Sequence, residues 1–320
     1  MKEPLRRRTG GAIRTEALDF MTDDSDTPLD PAGTAGLTDL AAIRARIDAI
    51  DEEMHSLLIE RSSIIDALIK VKRAAHTGVA FRPGREAAMM HRFAARHHGS
   101  LPLTTVENLW REIISTFTWL QAPYRVHIPV DGDIAAIHDS LRFYFGFTVP
   151  YLDAADAGAV IAAVAGSRSD LGLVPLGEAS SPWWAALGGT GPQIIARLPF
   201  YECEGRPAAT PTVVISNPLD EQAEPDLLCW ATTWPAGTEA AKALAGTDIA
   251  TIATHRGEGT VSALLAVDRA LDEETLARRL ADAGATAPRL VGGYAAPLAV
   301  TDTDPMKTSN TPATAPRAES

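Results

Sequence analysis

Arg61 and Lys72 stand eleven positions apart, which at 3.6 residues per turn is about 1100° of rotation. On a helix the two cations would therefore project within roughly 20° of one another. Both lie beside the apolar stripe of their segment, whereas a cation that only confers solubility normally sits on the opposite face. Cations clustered in this way suit a small anionic substrate. A third cation, Arg44, precedes Arg61 by seventeen positions, about 100° away in azimuth and some 25 Å along the axis. That is too far to share a pocket in one chain, but an antiparallel partner helix could bring it there. Taken singly, each is also consistent with a solvated cation whose stem lies along apolar surface.

The segment that must position them is LTDLAAIRARIDAIDEEMHSLLIERSSIIDALIKVKRAAHTG. Its apolar residues Ile43, Ile47, Ile50, Met54, Leu57, Leu58, Ile64, Ile65, Leu68 and Val71 have helical spacing. With Gly78 as a stop this predicts one helix about 57 Å long at 1.5 Å per residue, far longer than a usual globular helix and in need of a partner. Two further helices come next, from Gly84 to about His98 after Pro83, and from Thr105 to about Gln121 before Pro123.

Beyond Tyr124 the periodicity changes. YRVHIPV, FTVPYL and DLGLVPL read as strands separated by the helices IAAIHDSLRFYFG and ADAGAVIAAVAGS, an alternation that implies a small parallel sheet. After IIARLPFYEC and TPTVVIS comes strand LLCWATT, helix GTEAAKALAG, strands DIATIAT and VSALLAV, helix DEETLARRLADAG and strand RLVGGYA. This βαββαβ order is that of a ferredoxin-like domain. The expected organisation is a disordered leader over 1–36, an all-α three-helix domain over 37–123, a small α/β domain over 124–222, a ferredoxin-like α+β domain over 223–300 and a disordered tail over 301–320.

Composition narrows the function classes. The chain has 320 residues, 46% hydrophobic and 22% charged, enough for two or three domains with sizeable cores. Its formal net charge of -12 argues against nucleic acid or an anionic membrane as a general partner. Cys203 and Cys229 lack the close spacing of a metal or redox motif, so no metal site and no disulfide framework is implied, and a reducing cytoplasm fits best. Apolar runs fall short of the ~20 residues of a membrane-spanning helix, and the basic Arg6–Arg8 is not followed by the apolar core of a secretory signal.

The stretches IRARIDAIDEEMHSLLIERSSIIDALIKVK, FRPGREAAM and ENLWREIISTFTWLQ together resemble the AroQ-class chorismate mutase domain found at the front of bifunctional chorismate mutase/prephenate dehydratases. The resemblance implies an intertwined homodimer through the long helix, converting chorismate to prephenate without a cofactor, in phenylalanine and tyrosine biosynthesis. It implies that Arg44 reaches a substrate carboxylate from the other subunit, while Arg61 holds a carboxylate within its own chain. Lys72 would donate to the ether oxygen. Arg85 would contribute to carboxylate binding, Glu86 would accept from the ring hydroxyl, and Gln121 would be the second group facing the ether oxygen. Asp51 matches a recurring acidic position with a structural or solvated role.

The chemistry explains these residue types. A Claisen rearrangement breaks a C–O bond and makes a C–C bond without nucleophile, metal or net proton transfer, so only shape and charge can help. Arginine forks clamp the carboxylates of a near-attack conformer, and Lys72 with Gln121 would stabilise charge building on the ether oxygen. A neutral Gln serves at any pH, where a Glu would need its proton, so activity is expected to persist at neutral and alkaline pH. Two positions depart from the family pattern: Arg82 stands where an Asp is frequent, and Phe117 replaces a small Ser four residues before Gln121.

Downstream, YRVHIPVDG and SDLGLVPLGEAS weakly resemble the opening of a prephenate dehydratase domain. Where that family has a catalytic Thr-Arg-Phe, this chain has Thr210, Pro211, Thr212 and Val213. Loss of dehydration is the expectation, together with loss of the interlobe cleft. The βαββαβ tail resembles an ACT domain, which makes an aromatic amino acid the candidate effector. His255 and Arg256 read as loop solvation, His97 and His98 as helix-end stabilisation, and Gly188–Gly191 as a turn. The alternatives to a monofunctional mutase are a bifunctional mutase/dehydratase and a non-catalytic amino-acid-sensing partner protein. Because the helical stretch contains every proposed site residue and its own apolar stripe, it is expected to fold and act without the residues beyond 123.

Overall fold

The computed structural model describes residues 39–75, 81–219 and 224–301. The expected leader, the Gly78 stop and all but the first residue of the expected tail lie outside them. Two compact units are distinguished, Met1–Glu60 and Arg61–Ser320, and the division falls inside the first helix, α1 (Leu40–Ala75). These 36 residues include neither Gly nor Pro, which favours an uninterrupted helix about 54 Å long. Its apolar stripe is left open in the single chain. In the first unit Ile47, Met54 and Leu57 are each more than half exposed, and in the second unit so are Ile64 and Val71.

The second unit continues with α2 (Pro83–Arg96) and α3 (Leu103–Gln121). Pro83 occupies the first turn of α2, where no N–H is missed, and Pro102 and Pro123 bracket α3. After these come β1 (Val126–Pro129), α4 (Ile134–Phe145), β2 (Tyr151–Ala154), α5 (Ala157–Ala165), β3 (Leu171–Pro175) and β4 (Gly177–Glu178). Next are β5 (Gln193–Leu198), β6 (Tyr201–Glu202), β7 (Thr212–Ser216), β8 (Leu227–Pro235), α6 (Ala240–Ala243) and β9 (Ile249–Arg256). The order closes with β10 (Thr260–Asp268), α7 (Glu273–Asp282), β11 (Thr286–Tyr294) and β12 (Leu298–Ala299). Asp133, Asp156 and Asp272 cap α4, α5 and α7 by accepting the backbone N–H three residues on.

Ten strands form one sheet in the order β2-β1-β3-β7-β5-β11-β8-β10-β9-β4. Strands β2, β1 and β3 are parallel, as the alternation of strands and helices predicts, and β7 and β5 extend them in antiparallel fashion. In the other half β11, β8, β10 and β9 pair antiparallel, giving the expected ferredoxin-like βαββαβ unit, although its first helix is reduced to the single turn α6. The expected boundary at 222/223 does not separate two sheets, because β11 meets β5 at Gly292 and Ile194. Gly292 permits this approach. It has φ +136°, and a Cβ there would overlap the Ile194 backbone, so a side chain would push the halves apart.

The boundary expected at residue 123 is likewise not a gap in packing. Ala87, Met90 and Phe93 of α2 and Leu103 and Ile114 of α3 form one buried cluster with Phe200 and Tyr201, and Leu298 packs against it. An apolar stripe identifies which helix faces are buried, but it does not identify the element that covers them.

Candidate active site

The second unit brings Arg61 of α1, Arg85 of α2 and Phe117 of α3 into one neighbourhood. The Arg61 guanidinium carbon lies 4.4 Å from the centroid of the Phe117 ring, a cation–π distance. Phe117, one of the two departures from the expected pattern, thus supplies the surface against which Arg61 rests. Burial, and after it the positive charge of Arg85, hold the Arg61 pKa below its ordinary value. Arg61 Nη1 is buried and has no hydrogen-bond partner among the described residues. A buried donor left unpaired is costly, and two guanidiniums that repel each other compound the cost, so an anion placed between them would relieve both.

Gln121 lies one turn beyond Phe117 on the same face of α3. Its Nε2 donates to the Phe117 carbonyl at 3.0 Å. Arg85 is exposed in the first turn of α2. Lys72 belongs to α1, but its side chain is outside what is described. Arg44 and Asp51 are exposed on α1 in the first unit.

Glu86 is the residue expected to accept from the ring hydroxyl. It is buried and accepts an ion-paired hydrogen bond from Arg111 Nη1 of α3. Arg111 is itself buried and donates through Nε to the Tyr144 carbonyl at 3.2 Å. Burial pulls its pKa down, but Glu86, joined by Tyr124 and Glu107, outweighs this and the net shift is upward. One turn earlier on α3, the fully buried Glu107 accepts from Arg206 Nη2 at 3.0 Å. Burial raises the Glu107 pKa, opposed by Arg206 and Arg111.

Arg111, Glu107 and Arg206 were not anticipated from the sequence. An i,i+4 Glu–Arg pair is the ordinary signature of a solvated helix face. The available signal was that Glu107, Arg111, Ser115 and Thr118 continue the spacing of Leu103 and Ile114, so they share the buried face.

The stretch Thr210–Val213 enters β7. Near it, at the C-terminal ends of β1 and β3, is a cleft of about 320 Å³ whose lining includes Asp131, Asp133, Glu178 and Thr210. Carboxylates there would repel a dicarboxylate. His97, His98 and His255 all contact backbone carbonyls, at 2.7, 2.9 and 3.0 Å. Arg256 lies 3.8 Å from Glu178 in an exposed pair. Cys229 is a buried thiol outside any disulfide. Among the described residues no group of three His, Cys, Asp or Glu side chains could hold a metal ion, and no helix is long and apolar enough to cross a membrane.

Residues 43–122 match the family model for chorismate mutase type II, so this stretch is a helical chorismate mutase-type region, followed by the large mixed sheet. The chain is 30% identical over 142 residues to a bifunctional chorismate mutase/prephenate dehydratase of Stutzerimonas stutzeri, covering 43% of this chain and 38% of that one. A protein of the same description from Aquifex aeolicus is 27% identical over 145 residues, covering 44% and 39%. The matches span less than half the length of these relatives. A prephenate dehydratase structure from Streptococcus mutans aligns with TM-score 0.35 at 15% identity, over 55% of this chain and 99% of that chain.

Proposed function

We propose that this protein rearranges chorismate to prephenate as a homodimer in the cytoplasm. The observation that carries this reading is Arg61: a half-buried guanidinium with an N–H unpaired among the described residues, set against Phe117 and in the field of Arg85, within the stretch that matches the mutase family. The substrate's carboxylates would neutralise Arg61 and Arg85 and hold the enolpyruvyl arm over the ring. Lys72 and Gln121 would face the ether oxygen, where charge grows as the C–O bond lengthens. Gln121 would exchange its donation to Phe117 for one to substrate. Glu86, committed to Arg111, would act on the position of α2 more than on the substrate hydroxyl. Arg44 would come from the second copy, whose α1 would also cover the exposed stripe of Ile47, Met54 and Leu57. An aromatic amino acid effector, if one acts, belongs to the βαββαβ half.

The test is conversion of chorismate by the full chain and by Arg61→Ala. Loss of one charged, bidentate contact should raise KM and lower kcat/KM by about 10- to 10²-fold. Near-normal kinetics in Arg61→Ala would remove Arg61 from the site.

A further inference from the structure

Resting on that reading, we propose that the part of the chain beyond residue 123 belongs to the mutase's own scaffold, with Arg206 and Arg111 as positioning residues for Arg85. Arg206 lies in the loop between β6 and β7, is buried, and donates to Glu107 at 3.0 Å, to the Tyr144 hydroxyl at 2.6 Å and to the Tyr201 carbonyl. Glu107 lies one turn from Arg111 on α3, close enough for each to shift the other's pKa. Arg111 ends the relay on Glu86, the neighbour of Arg85 in the chain. Tyr201 of β6 adds a direct tie, its hydroxyl donating to the Met90 carbonyl of α2 at 2.5 Å.

In the proposed site Arg85 and Arg61 carry like charges toward the same anion, so they would repel each other until it binds. Before an anion binds, α2 would relieve that repulsion by rolling or sliding, and apolar contacts resist small displacements of this kind weakly because they are non-directional. Guanidinium forks are directional, and in a buried setting a broken pair leaves an uncompensated charge. The Glu86–Arg111 pair therefore ties α2 to α3, and the Glu107–Arg206 pair ties α3 in turn to the loop between β6 and β7. The residues that set this geometry include Tyr201 and Arg206, both outside the stretch that matches the mutase family. On this proposal the site is preorganised in part by residues outside the matched stretch.

The test uses the full chain carrying Arg206→Met together with Glu107→Leu, which removes both charges and so leaves neither one buried alone. Leu280→Ala in the core against α7 is the control for a general loss of stability. The double variant should bind chorismate about tenfold more weakly by KM, with kcat within about threefold of normal, because Arg85 acts on the ground state. Leu280→Ala should melt earlier with KM unchanged. If the double variant does not fold, Arg206→Lys keeps the charge without the fork, and a rise in KM of about threefold is then expected. A folded variant of either kind with normal KM, or a control with an equally raised KM, would overturn the proposal. An inactive wild-type chain would instead overturn the mutase reading itself.

Discussion

Helix α1 and the pair α2–α3 contribute to the same matched stretch, yet they are satisfied in opposite ways. Along α1 the apolar side chains Ile47, Met54, Leu57, Ile64 and Val71 face solvent in the single chain. Along α2 and α3 the equivalent surface is closed by Phe200, Tyr201 and Leu298, and the buried charges Glu86, Glu107 and Arg111 are ion-paired. On the proposed reading the first surface is the one a second copy of the chain would cover, whereas the other is covered from within. Amphipathic periodicity alone does not distinguish the two cases.

The severest way to break this comparison is to end the chain after Pro123. Without its partners the α2–α3 face would lose its apolar cover, and Glu107 would lose Arg206, a change that for a buried pair costs about 3–5 kcal/mol out of a typical total of about 5–15. The shortened chain is expected to lose its cooperative melting transition and its turnover. A fragment that melts cooperatively and retains full activity would show that α2–α3 needs no cover.

Mixing chains sharpens the other side of the comparison. Arg44→Ala and Arg61→Ala should each abolish most activity alone. After joint unfolding and refolding, heterodimers would carry one site in which both arginines are intact, so activity should return to about a quarter of wild type, half the chains pairing unlike and each such dimer holding one whole site. No recovery would place Arg44 and Arg61 in the same chain's site.

The smallest effect is expected at Asp170, which anchors the β1–β3 edge. Its Oδ2 receives hydrogen bonds from His127 at 3.1 Å and from Arg125 at 2.9 Å. Burial alone would raise its pKa, but these bonds outweigh it and hold the carboxyl below its ordinary value. A depressed folded-state pKa contributes stability above the unfolded value of about 3.9, and that contribution is lost as pH falls through the folded value. Asp170→Asn should therefore be less stable by about 1–2 kcal/mol at neutral pH, with the difference shrinking below about pH 4. Its KM for chorismate should not change. Melting curves from about pH 7 to 2 check the first point, and a raised KM would extend the positioning role beyond the relay.

Much of this organisation was legible in the residues. The three helices, the parallel β2-β1-β3 group and the βαββαβ order can be read from spacing, from Pro83, Pro102 and Pro123, and from changes of period. What was not legible is what covers what. The pairing of Gly292 with Ile194, which merges two expected sheets into one, depends on residues about a hundred positions apart, and no local pattern encodes it. Arg206 looks like any loop cation until Glu107 is seen beside it. Phe117 was visible as a departure, but not as the ring beneath Arg61.

The most direct measurement is steady-state conversion by the full chain and by Lys72→Ala, with chorismate loss matched against prephenate gain. The ether oxygen is nearly neutral in the substrate and charged at the barrier, so Lys72 should act on kcat more than on KM. On the scale of a lost oxyanion donor, kcat should fall by about 10²–10³ with prephenate formed mole for mole by the wild type. Near-normal kcat in Lys72→Ala beside a crippled Arg61→Ala would remove Lys72 from the site, and a wild-type chain that leaves chorismate unchanged would contradict the account as a whole.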